Sequence, residues 1–333
     1  MQKSITYKDA GVDIKKKEET FRRIKQKISA TKTPEVLTDV GLFGGFYQFP
    51  VHEFEEPVLV SSTDGVGTKI KVAFMANKHD TIGRDLVNHC INDIAVCGAR
   101  PLYFLDYFSC GKLEPSIYEQ VLKGITTACK KAEIPLIGGE TAEMPDFYQQ
   151  SEYDLAGTIV GAVDKSKIIN GSKIKKSDVL IGISSNGLHT NGYSLARKVL
   201  FSKFKITDTI KGLHGTLANE LLRQHINYYP LISEAAIKYE IRGIVHVTGG
   251  GIVNNSQRLL REGLSVTVNW NSWEVPSIFK LIQETGNVAD KDMQQTFNMG
   301  IGLVFILSPD DAKNFMEWGN KTEFKLYNIG NVS

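Results

Sequence analysis

The stretch that most constrains this chain is residues 57–69, where an apolar run changes abruptly into a polar segment with two glycines. Pro57 and the apolar residues 58–60 predict a short β-strand. Asp64 then stands between a threonine and a glycine, and Lys69 follows. Glycine lets a backbone approach a ligand closely, Asp is a hard oxygen ligand suited to Mg²⁺, and lysine can meet a phosphate. Asp-Gly is also a common hairpin turn. These residues alone are therefore consistent either with a turn or with a loop that binds a phosphate and a metal ion.

A helix expected between Asp80 and Gly98 carries an unusual polar face. We expect Asp80 to cap this helix and Gly98 to end it. From Asp85 to Ala99 the sequence has no Lys, Arg or Glu, although solvated helix faces usually carry such long side chains. Short polar side chains therefore favour a lined cavity or a metal site, while a single histidine is equally consistent with a hydrogen-bonded core residue. At 100° per residue, this face consists of Asp85, Asn88, His89, Asn92 and Asp93.

Three further strand-like runs lead into polar or glycine-rich segments, at residues 138–141, 184–194 and 249–251. Backbone amides at a strand end, or at the start of the following helix, form a natural anion site. Most side chains of the 184–194 loop can donate hydrogen bonds, and His189 lies among them. A ligand site is therefore favoured there over an ordinary polar loop.

The length predicts two domains, because 333 residues are long for a single core. An amphipathic helix is expected at residues 15–29, since apolar residues recur there on one side among many lysines and arginines. Residues 102–108 are expected to form a strand covered on both faces, because large apolar residues point both ways. The charged residues 165–167 mark the expected boundary, which gives domains 1–166 and 167–333.

Composition excludes several functional classes. A net charge of +2 gives no global attraction to nucleic acid or to membranes. No apolar run approaches the ~18 residues needed to span a bilayer, and the N-terminus shows no secretory pattern. Cys90, Cys97, Cys110 and Cys129 form no Cys-x-x-Cys pair and have apolar neighbours. We therefore expect reduced, buried thiols in a cytoplasmic protein.

Eight motifs spread over nearly the whole chain carry a family resemblance. They are Tyr-Lys-Asp-Ala-Gly-Val-Asp at 7–13, Ser-Thr-Asp-Gly-Val-Gly-Thr-Lys at 62–69, Asn-Asp-Ile at 92–94, Phe-Leu-Asp-Tyr at 104–107, the Gly-Gly-Glu-Thr segment at 138–145, His-x-Asn-Gly-Tyr-Ser at 189–194, Thr-Gly-Gly-Gly at 248–251 and Thr-Phe-Asn-Met-Gly at 296–300. Singly, the glycine-rich pieces are weak signals, but together the motifs are very specific. The chain resembles the phosphoribosylformylglycinamidine cyclo-ligases, or aminoimidazole ribonucleotide synthetases, of purine biosynthesis.

The resemblance implies two α/β domains, a homodimer whose N-terminal domains share a β-barrel, and ATP bound in a cleft between domains. It implies ATP-dependent cyclisation of formylglycinamidine ribonucleotide to 5-aminoimidazole ribonucleotide, with release of ADP and phosphate. Mg²⁺ is expected with the ATP, and K⁺ is a further candidate ion. Such a reaction needs positioning and charge neutralisation more than a nucleophile, and the general base is not readable from the sequence.

By position, the resemblance implies Mg²⁺ ligation by Asp64 and Asp93, phosphate contacts by Lys25 and Lys69, and His189 next to the reacting atoms. These five are the expected catalytic residues. Nucleotide contacts are implied for Asp64, Gly65, Thr68, Lys69, Asn92, Asp93, Gly138, Gly139, Glu140 and Thr141. Substrate contacts are implied for Ser184, Ser185, Asn186, His189, Thr190 and Asn191.

Some positions depart from the family pattern. Gln224-His225 stands where Pro-Thr is expected, and Gln257 stands where a proline usually precedes Arg258. The end at Ser333 is somewhat early for the family. These departures concern the pocket of the second domain and not the reaction.

Four other interpretations fit less well. Selenophosphate synthetases carry a cysteine or selenocysteine near a glycine-rich N-terminal segment, whereas the first cysteine here is Cys90. The hydrogenase-maturation carbamoyl dehydratases end in a reactive cysteine, whereas the last one here is Cys129. Thiamine-monophosphate kinases lack the His-x-Asn-Gly-Tyr-Ser loop. A nucleotide-sensing subunit without catalysis is an alternative of a different class, against which the intact Asp64, Lys69 and Asp93 argue.

Overall fold

The computed structural model describes residues 14–150 and 152–333, so the motif at residues 7–13 lies outside the described part of the chain. We call the described residues up to 164 the first half and residues 165–333 the second half. The elements of the first half are α1 (Ile14–Ser29), β1 (Pro57–Gly65), α2 (Lys69–Ala76), α3 (Ile82–Ala95), β2 (Arg100–Cys110), α4 (Pro115–Lys131), β3 (Leu136–Glu143) and β4 (Tyr153–Asp164), with a 3₁₀ turn at Val51–Glu53.

Hydrophobic periodicity explains the helices of the first half. The helix expected at 15–29 is α1, which buries Ile24 and Ile28 and packs on α4. Helix α3 buries Leu86, Val87 and Ile91 and packs on β1, β2 and β4. The apolar side of α3 thereby holds the helix on one face of the sheet and fixes the direction of its polar side.

The first half contains a four-stranded sheet with strand order β1-β4-β2-β3. Strand β2 runs parallel to β3, and β4 runs antiparallel to both β1 and β2. One row across the sheet consists of Asp64, Gly157, Asp106 and Gly139, each paired with the next. Three strand spacings of about 4.8 Å place Asp64 and Gly139 about 14 Å apart.

The second half contains a five-stranded antiparallel sheet with strand order β6-β8-β5-β9-β7. Its central strand pair β5 and β8 is almost entirely buried, which explains the continuous apolar runs at 179–183 and 301–307. The elements are β5 (Val179–Ser184), α5 (Tyr193–Leu200), α6 (Leu217–Leu221), α7 (Tyr229–Lys238), β6 (Gly243–His246), α8 (Gly251–Gln257), β7 (Val266–Val268), α9 (Ser277–Gly286), α10 (Asp290–Thr296), β8 (Ile301–Leu307), α11 (Pro309–Gly319) and β9 (Leu326–Val332), with a 3₁₀ turn at Lys165–Lys167.

Three local predictions from the sequence are wrong. Asp64 lies in no turn or loop, because pairing with β4 extends the strand through Gly65. The segment 138–141 is likewise part of strand β3 and pairs with β2. Asp80 does not cap α3, which begins at Ile82 after Thr81. In the first two cases a neighbouring strand supplies hydrogen-bond partners that override the local preference of glycine for turns.

The face of the first sheet opposite α3 is partly exposed. Leu59 is 65% exposed and Tyr107 is 40% exposed, although the sequence predicts cover on both faces of β2. In the single chain, Tyr47 covers part of this face by packing on Tyr103, with ring centroids 5.2 Å apart. Among the described residues, no helix is both long and apolar enough to cross a membrane.

Candidate active site

The polar face of α3 lies against the end of β1. Nε2 of His89 lies 2.8 Å from Oδ2 of Asp64 and 3.7 Å from Oδ2 of Asp93. Oγ of Ser62 donates a hydrogen bond to Oδ2 of Asp93 over 3.1 Å. The Asp64 side chain is 49% exposed, whereas the His89 ring is buried. One strand and one helix thus bring two carboxylates and an imidazole together at the edge of the sheet.

The charges of Asp64, His89 and Asp93 shift one another's pKa values. Burial alone would raise the pKa of Asp64 and of Asp93, but hydrogen bonds and charge from the neighbouring histidines outweigh it and lower both. Burial alone would lower the pKa of His89, but its hydrogen bond to Asp64 and the charge of Asp93 raise it. Both carboxylates are therefore ionised at neutral pH and available to a cation.

Two histidines of the second half complete this group. His246 ends β6 and directs its Nδ1 at Oδ1 of Asp93, 2.8 Å away. Nε2 of His246 lies 3.0 Å from Nε2 of His225. Nδ1 of His225 and Nδ1 of His89 both contact Oγ1 of Thr190, at 3.2 and 2.8 Å. We call His89, His225 and His246 the histidine cluster.

The other polar residues of α3 bind the backbone of residues 225–228. Oδ1 of Asp85 accepts a hydrogen bond from the amide of His225, and Nδ2 of Asn88 donates to the carbonyl of His225, both at 2.7 Å. Asn92 donates to the carbonyl of Ile226 and accepts from the amide of Tyr228, both at 2.8 Å. The face expected to line a cavity or metal site is therefore buried against the second half. The Asn92 amide, expected to contact nucleotide, is already bonded to protein on both sides.

Lys69 lies in the interior and pairs with Asp85. Its Nζ is 2.8 Å from Oδ2 of Asp85 and donates to the carbonyls of His189 and Arg223 at 2.9 and 2.7 Å. Burial lowers the pKa of Lys69 and raises that of Asp85, and the attraction between the two charges opposes both shifts. Three protein oxygens surround the ammonium in this arrangement, so it is not directed at an open phosphate site. The expected phosphate contact of Lys69 stays a prediction.

His189 occupies the adjoining interior rather than an open surface. Its φ of +59° is in the left-handed region, and its ring stacks on that of His225 with centroids 4.2 Å apart. Neither ring nitrogen has a hydrogen-bond partner among the described residues. Burial holds the pKa of His189 well below its usual range, so the ring is neutral. Because the His189 ring is buried, substrate does not reach it in this arrangement. The expected contact between His189 and substrate stays a prediction.

A cavity of about 980 Å³ opens beside the 184–194 loop. Ser184, Ser185 and Asn186 line it, and Nδ2 of Asn186 also donates to the carbonyl of Gln224 at 2.8 Å. Asn88 and part of α4 form the wall from the first half. Three of the six residues expected to bind substrate thus share one cavity between the two halves. Thr190 instead contacts the histidine cluster.

Two family models match the chain: "AIR synthase related protein, N-terminal domain" at residues 51–163 and "AIR synthase related protein, C-terminal domain" at residues 175–333. A phosphoribosylformylglycinamidine cyclo-ligase from Thermodesulfovibrio yellowstonii is 49% identical over 332 residues, which cover 99% of this chain and 97% of the relative. The chain belongs to the phosphoribosylformylglycinamidine cyclo-ligase family. The two sheets, one in each half of the chain, agree with the two matched domains.

Solved structures of other families share the fold. Thiamine-monophosphate kinase from Stenotrophomonas maltophilia K279a has a TM-score of 0.70 and 16% identity over 93% of both chains. The hydrogenase maturation protein HypE in complex with ATP has a TM-score of 0.63 and 15% identity, over 93% of this chain and 85% of that chain. Such identities show only a common fold, whereas nearly half of all residues are shared with the cyclo-ligase relative.

Gly139 of the cyclo-ligase motif in β3 makes room for a partly buried acid, Asp106 of β2. A Cβ at Gly139 would come within 2.2 Å of Oδ1 of Asp106, so a side chain there would displace the carboxyl group. Burial raises the pKa of Asp106 to about 7. An acid buried in the strand at residues 102–108 needs either a partner or a proton, and with this pKa the Asp106 carboxyl group is largely protonated below neutral pH.

The next residues of β3 contact helix α1. Nζ of Lys17 lies 3.4 Å from Oε1 of Glu140 and also donates to the carbonyl of Thr141. Oγ1 of Thr141 contacts the hydroxyl of Tyr118 at 2.6 Å. Lys25 lies on the exposed side of the same helix. The residues expected to bind nucleotide therefore fall into two groups, one around α1 and β3 and one around Asp64.

The remaining cyclo-ligase positions cluster near Asp64 and the 189–194 motif. The amide of Gly65 donates to Oδ1 of Asp64 at 2.6 Å, and Oγ1 of Thr68 lies 3.0 Å from Oγ of Ser194. A Cβ at Gly249 would lie 3.4 Å from Oδ1 of Asn191. The glycine-rich segments of both halves therefore meet around one site.

Sequence reasoning did not assign His225 and His246 to this site. Each is an isolated histidine next to apolar residues, with no metal-ligand spacing around it. The available signals were the departure from Pro-Thr at positions 224–225 and a histidine at the end of a strand that leads into three glycines. Only tertiary packing brings both against His89.

Proposed function

We propose that the chain catalyses ATP-dependent cyclisation of formylglycinamidine ribonucleotide to 5-aminoimidazole ribonucleotide in purine biosynthesis. The observation that carries this proposal is the meeting at His89 of Asp64 and Asp93, which come from two family motifs and lie 29 residues apart in the sequence. His246 links Asp93 to His225, which lines the cavity formed by both halves. The names and identities of the curated relatives support it. As a purine-pathway enzyme, the protein would work in the cytoplasm.

The proposed reaction has two steps. The γ-phosphoryl group of ATP moves to the formamide oxygen of the substrate, which gives ADP and an imidoyl phosphate. An amidine nitrogen then attacks the imidoyl carbon, loses a proton and expels phosphate, which closes the imidazole ring. The first step turns a poor leaving group into a good one, so the protein's main tasks are alignment and charge neutralisation.

Asp64 and Asp93 fit a Mg²⁺ ion that accompanies ATP. Both are ionised, and Mg²⁺ is usually held by one or two carboxylates together with phosphates. Mg²⁺ would neutralise phosphate charge during the transfer. Asp64 is half-exposed and reachable from solvent, while Ser62 and His246 hold Asp93 in place. K⁺ dependence belongs to the same proposal and is tested by replacing K⁺ with Na⁺ in the assay.

We propose that the nucleotide extends from Asp64 toward β3 and α1. The likeness in fold to a protein crystallised with ATP supports nucleotide binding. Asp64 and Gly139 lie about 14 Å apart across the sheet, a distance that one extended nucleotide covers. In this arrangement Gly138, Gly139 and Glu140 contact the nucleoside end and the phosphates lie at Asp64. Lys25 is on α1, so its expected phosphate contact is not explained by this placement and stays a prediction.

We propose that the substrate occupies the cavity lined by Ser184, Ser185 and Asn186. The substrate is a ribonucleotide with one phosphate group. The charged residues that line the cavity are three cations and three acids, Lys131, Arg223, Lys325, Glu133, Glu274 and Glu323. Hydroxyl and amide groups can bind ribose and amidine, and the cations suit the phosphate.

The homodimer and the domain division are part of the same proposal. The exposed apolar face of the first sheet, with Leu59 and Tyr107, is available to pair with its counterpart in a second chain. A shared barrel would bury that face. Each sheet falls entirely on one side of the expected boundary between residues 166 and 167.

The test is product formation by the purified chain. Incubation with ATP, Mg²⁺ and formylglycinamidine ribonucleotide is expected to give 5-aminoimidazole ribonucleotide and ADP in equal amounts. A nucleotide-sensing subunit would bind ATP and form neither product. The absence of product in a folded, ATP-binding preparation would contradict the proposed reaction.

A further inference from the structure

The histidine cluster has the spacing of a metal site. The ring centroids of His89 and His246 lie 5.0 Å apart, those of His89 and His225 lie 5.1 Å apart, and those of His225 and His246 lie 5.1 Å apart. Three imidazoles on one tetrahedral Zn²⁺, each bound at about 2.0–2.1 Å, have ring centres about 5 Å apart. We propose that His89, His225 and His246 bind one transition-metal dication of the Zn²⁺ type.

The Nδ1 atoms of the cluster face outward, while Nε2 of His225 lies 3.0 Å from Nε2 of His246 and Nε2 of His89 lies 2.8 Å from Oδ2 of Asp64. Nδ1 of His246 lies 2.8 Å from Oδ1 of Asp93, and Nδ1 of His89 and His225 lie 2.8 and 3.2 Å from Oγ1 of Thr190. A hydroxyl oxygen has two lone pairs and can accept from both rings. Metal-binding histidines usually donate their second N–H to such an acceptor, which fixes ring and tautomer. All three rings therefore have the outer partners that a three-histidine site needs.

The charge around the cluster matches a dication. Lys69 and Asp85 neutralise each other as a buried pair. Within residues 14–150 and 152–333, the contacts of Asp64 and Asp93 are to histidines, a serine and a backbone amide, and include no Lys or Arg. Two negative charges thus remain beside three imidazoles. Oδ2 of Asp64, 2.8 Å from Nε2 of His89 and half-exposed, is the candidate for the fourth ligand.

The ligand set distinguishes this site from the proposed Mg²⁺ site, although both use Asp64. Imidazole nitrogen favours Zn²⁺, Co²⁺, Ni²⁺ and Cu²⁺, whereas Mg²⁺ favours oxygen ligands. The alternative occupant is a proton, with His89 as an imidazolium between Asp64 and Asp93. That arrangement predicts no selective affinity for transition metals. The inference rests on the cluster geometry and is independent of the proposed reaction.

Metal binding by the untagged, full-length chain tests this inference. The protein is stripped with a chelator, and Zn²⁺ binding is measured by calorimetry and by competition with a colorimetric chelator. Co²⁺ serves as a spectroscopic probe, because tetrahedral Co²⁺ absorbs visible light far more strongly than octahedral Co²⁺. We expect one Zn²⁺ per chain, a tetrahedral Co²⁺ spectrum and a rise in Tm with Zn²⁺ but not with Mg²⁺.

His225→Asn and His246→Asn are the test variants, because Asn keeps a polar atom near the Nδ1 position and removes Nε2. Each is expected to weaken Zn²⁺ binding on the order of 100-fold or more. His79→Asn is the matched control, since His79 is also buried but bonds to Tyr153 in the first half. Circular dichroism of each metal-free variant establishes that it folds. No saturable Zn²⁺ binding, or equal binding by wild type and a folded cluster variant, would overturn the proposal.

Discussion

Nζ of Lys69 lies 2.8 Å from Oδ2 of Asp85, and both side chains are 0% exposed. The pair joins α2 to α3, and the ammonium also binds carbonyl oxygens of the second half. A buried charge without its partner destabilises the folded chain. This pair therefore stabilises the contact between the two halves.

Lys69→Met is expected to lower the free energy of unfolding by about 3–5 kcal/mol, because Asp85 would be left buried and unpaired. Urea unfolding followed by circular dichroism measures the change. Lys71→Met is the control, since Lys71 forms a partly exposed ion pair with Glu152 and is expected to cost about 1 kcal/mol or less. Unchanged stability together with weaker ATP binding in Lys69→Met would favour the phosphate contact predicted from the sequence.

Asp64→Asn and Asp93→Asn are each expected to reduce kcat/KM by a factor of about 100 or more, because a carboxylate beside the transferred phosphate is lost. Both variants should still fold, because Asn preserves the shape of each side chain, but with lower stability, because each carboxylate is hydrogen-bonded to a histidine in the folded chain. The check is a steady-state assay at limiting Mg²⁺. Wild-type rates in both variants would remove these residues from the metal site.

His189→Asn separates a catalytic from a structural role for this ring. Asn tolerates a left-handed φ, so the backbone at +59° is preserved. If His189 transfers a proton during ring closure, kcat should fall by about 10²–10⁴-fold with unchanged ATP affinity. A normal kcat with a lower Tm would show that the ring serves only to pack against His225.

The pH dependence of stability should reveal Asp106. Its pKa in the folded chain is about 7, above the value of about 3.9 for an exposed Asp in the unfolded chain. Between these values the unfolded chain has lost the proton that the folded chain retains, so stability falls as pH rises, by up to about 1.4 kcal/mol per pH unit. Asp106→Asn should remove this fall. Urea unfolding at pH 5 and 7 should therefore show the variant gaining about 2–3 kcal/mol on wild type, and parallel curves would contradict the assignment.

The exposed sheet face predicts self-association. Leu59→Glu places a charge on that face and is expected to shift sedimentation from a dimer toward a 37.0 kDa monomer. Ile237→Glu is the control, because Ile237 is 86% exposed on a helix of the second half. A wild-type chain that sediments as an active monomer would contradict the dimer.

Some helices and strands could be predicted from the sequence, because each depends on a local hydrophobic period. Helix α1 and the apolar strand β8 are examples, with buried residues at the expected positions. Asp64 and the segment 138–141 could not be placed in this way. Their extended conformation depends on hydrogen bonds from β4 and β2, which lie far along the chain.

The candidate site was predictable only in part, for the same physical reason. The polar face of α3 is visible in the spacing of its short side chains, but that pattern predicted a lined cavity or a metal site and not contact with the second half. The partners of that face are backbone atoms of residues 225–228, which carry no sequence signature. His225 and His246 become neighbours of His89 only after both sheets have formed.

The hydrogen bonds from α3 to residues 225–228 end on backbone peptide groups, so the side chains of these residues are free to change during evolution. Any residue at position 226 or 227, and any residue except proline at 225 or 228, supplies the same amides and carbonyls. New side chains can therefore enter this loop while its position against α3 is kept. An imidazole at position 225, where the family pattern has threonine, is such a change, and new ligand chemistry can arise there without loosening the contact between the two halves.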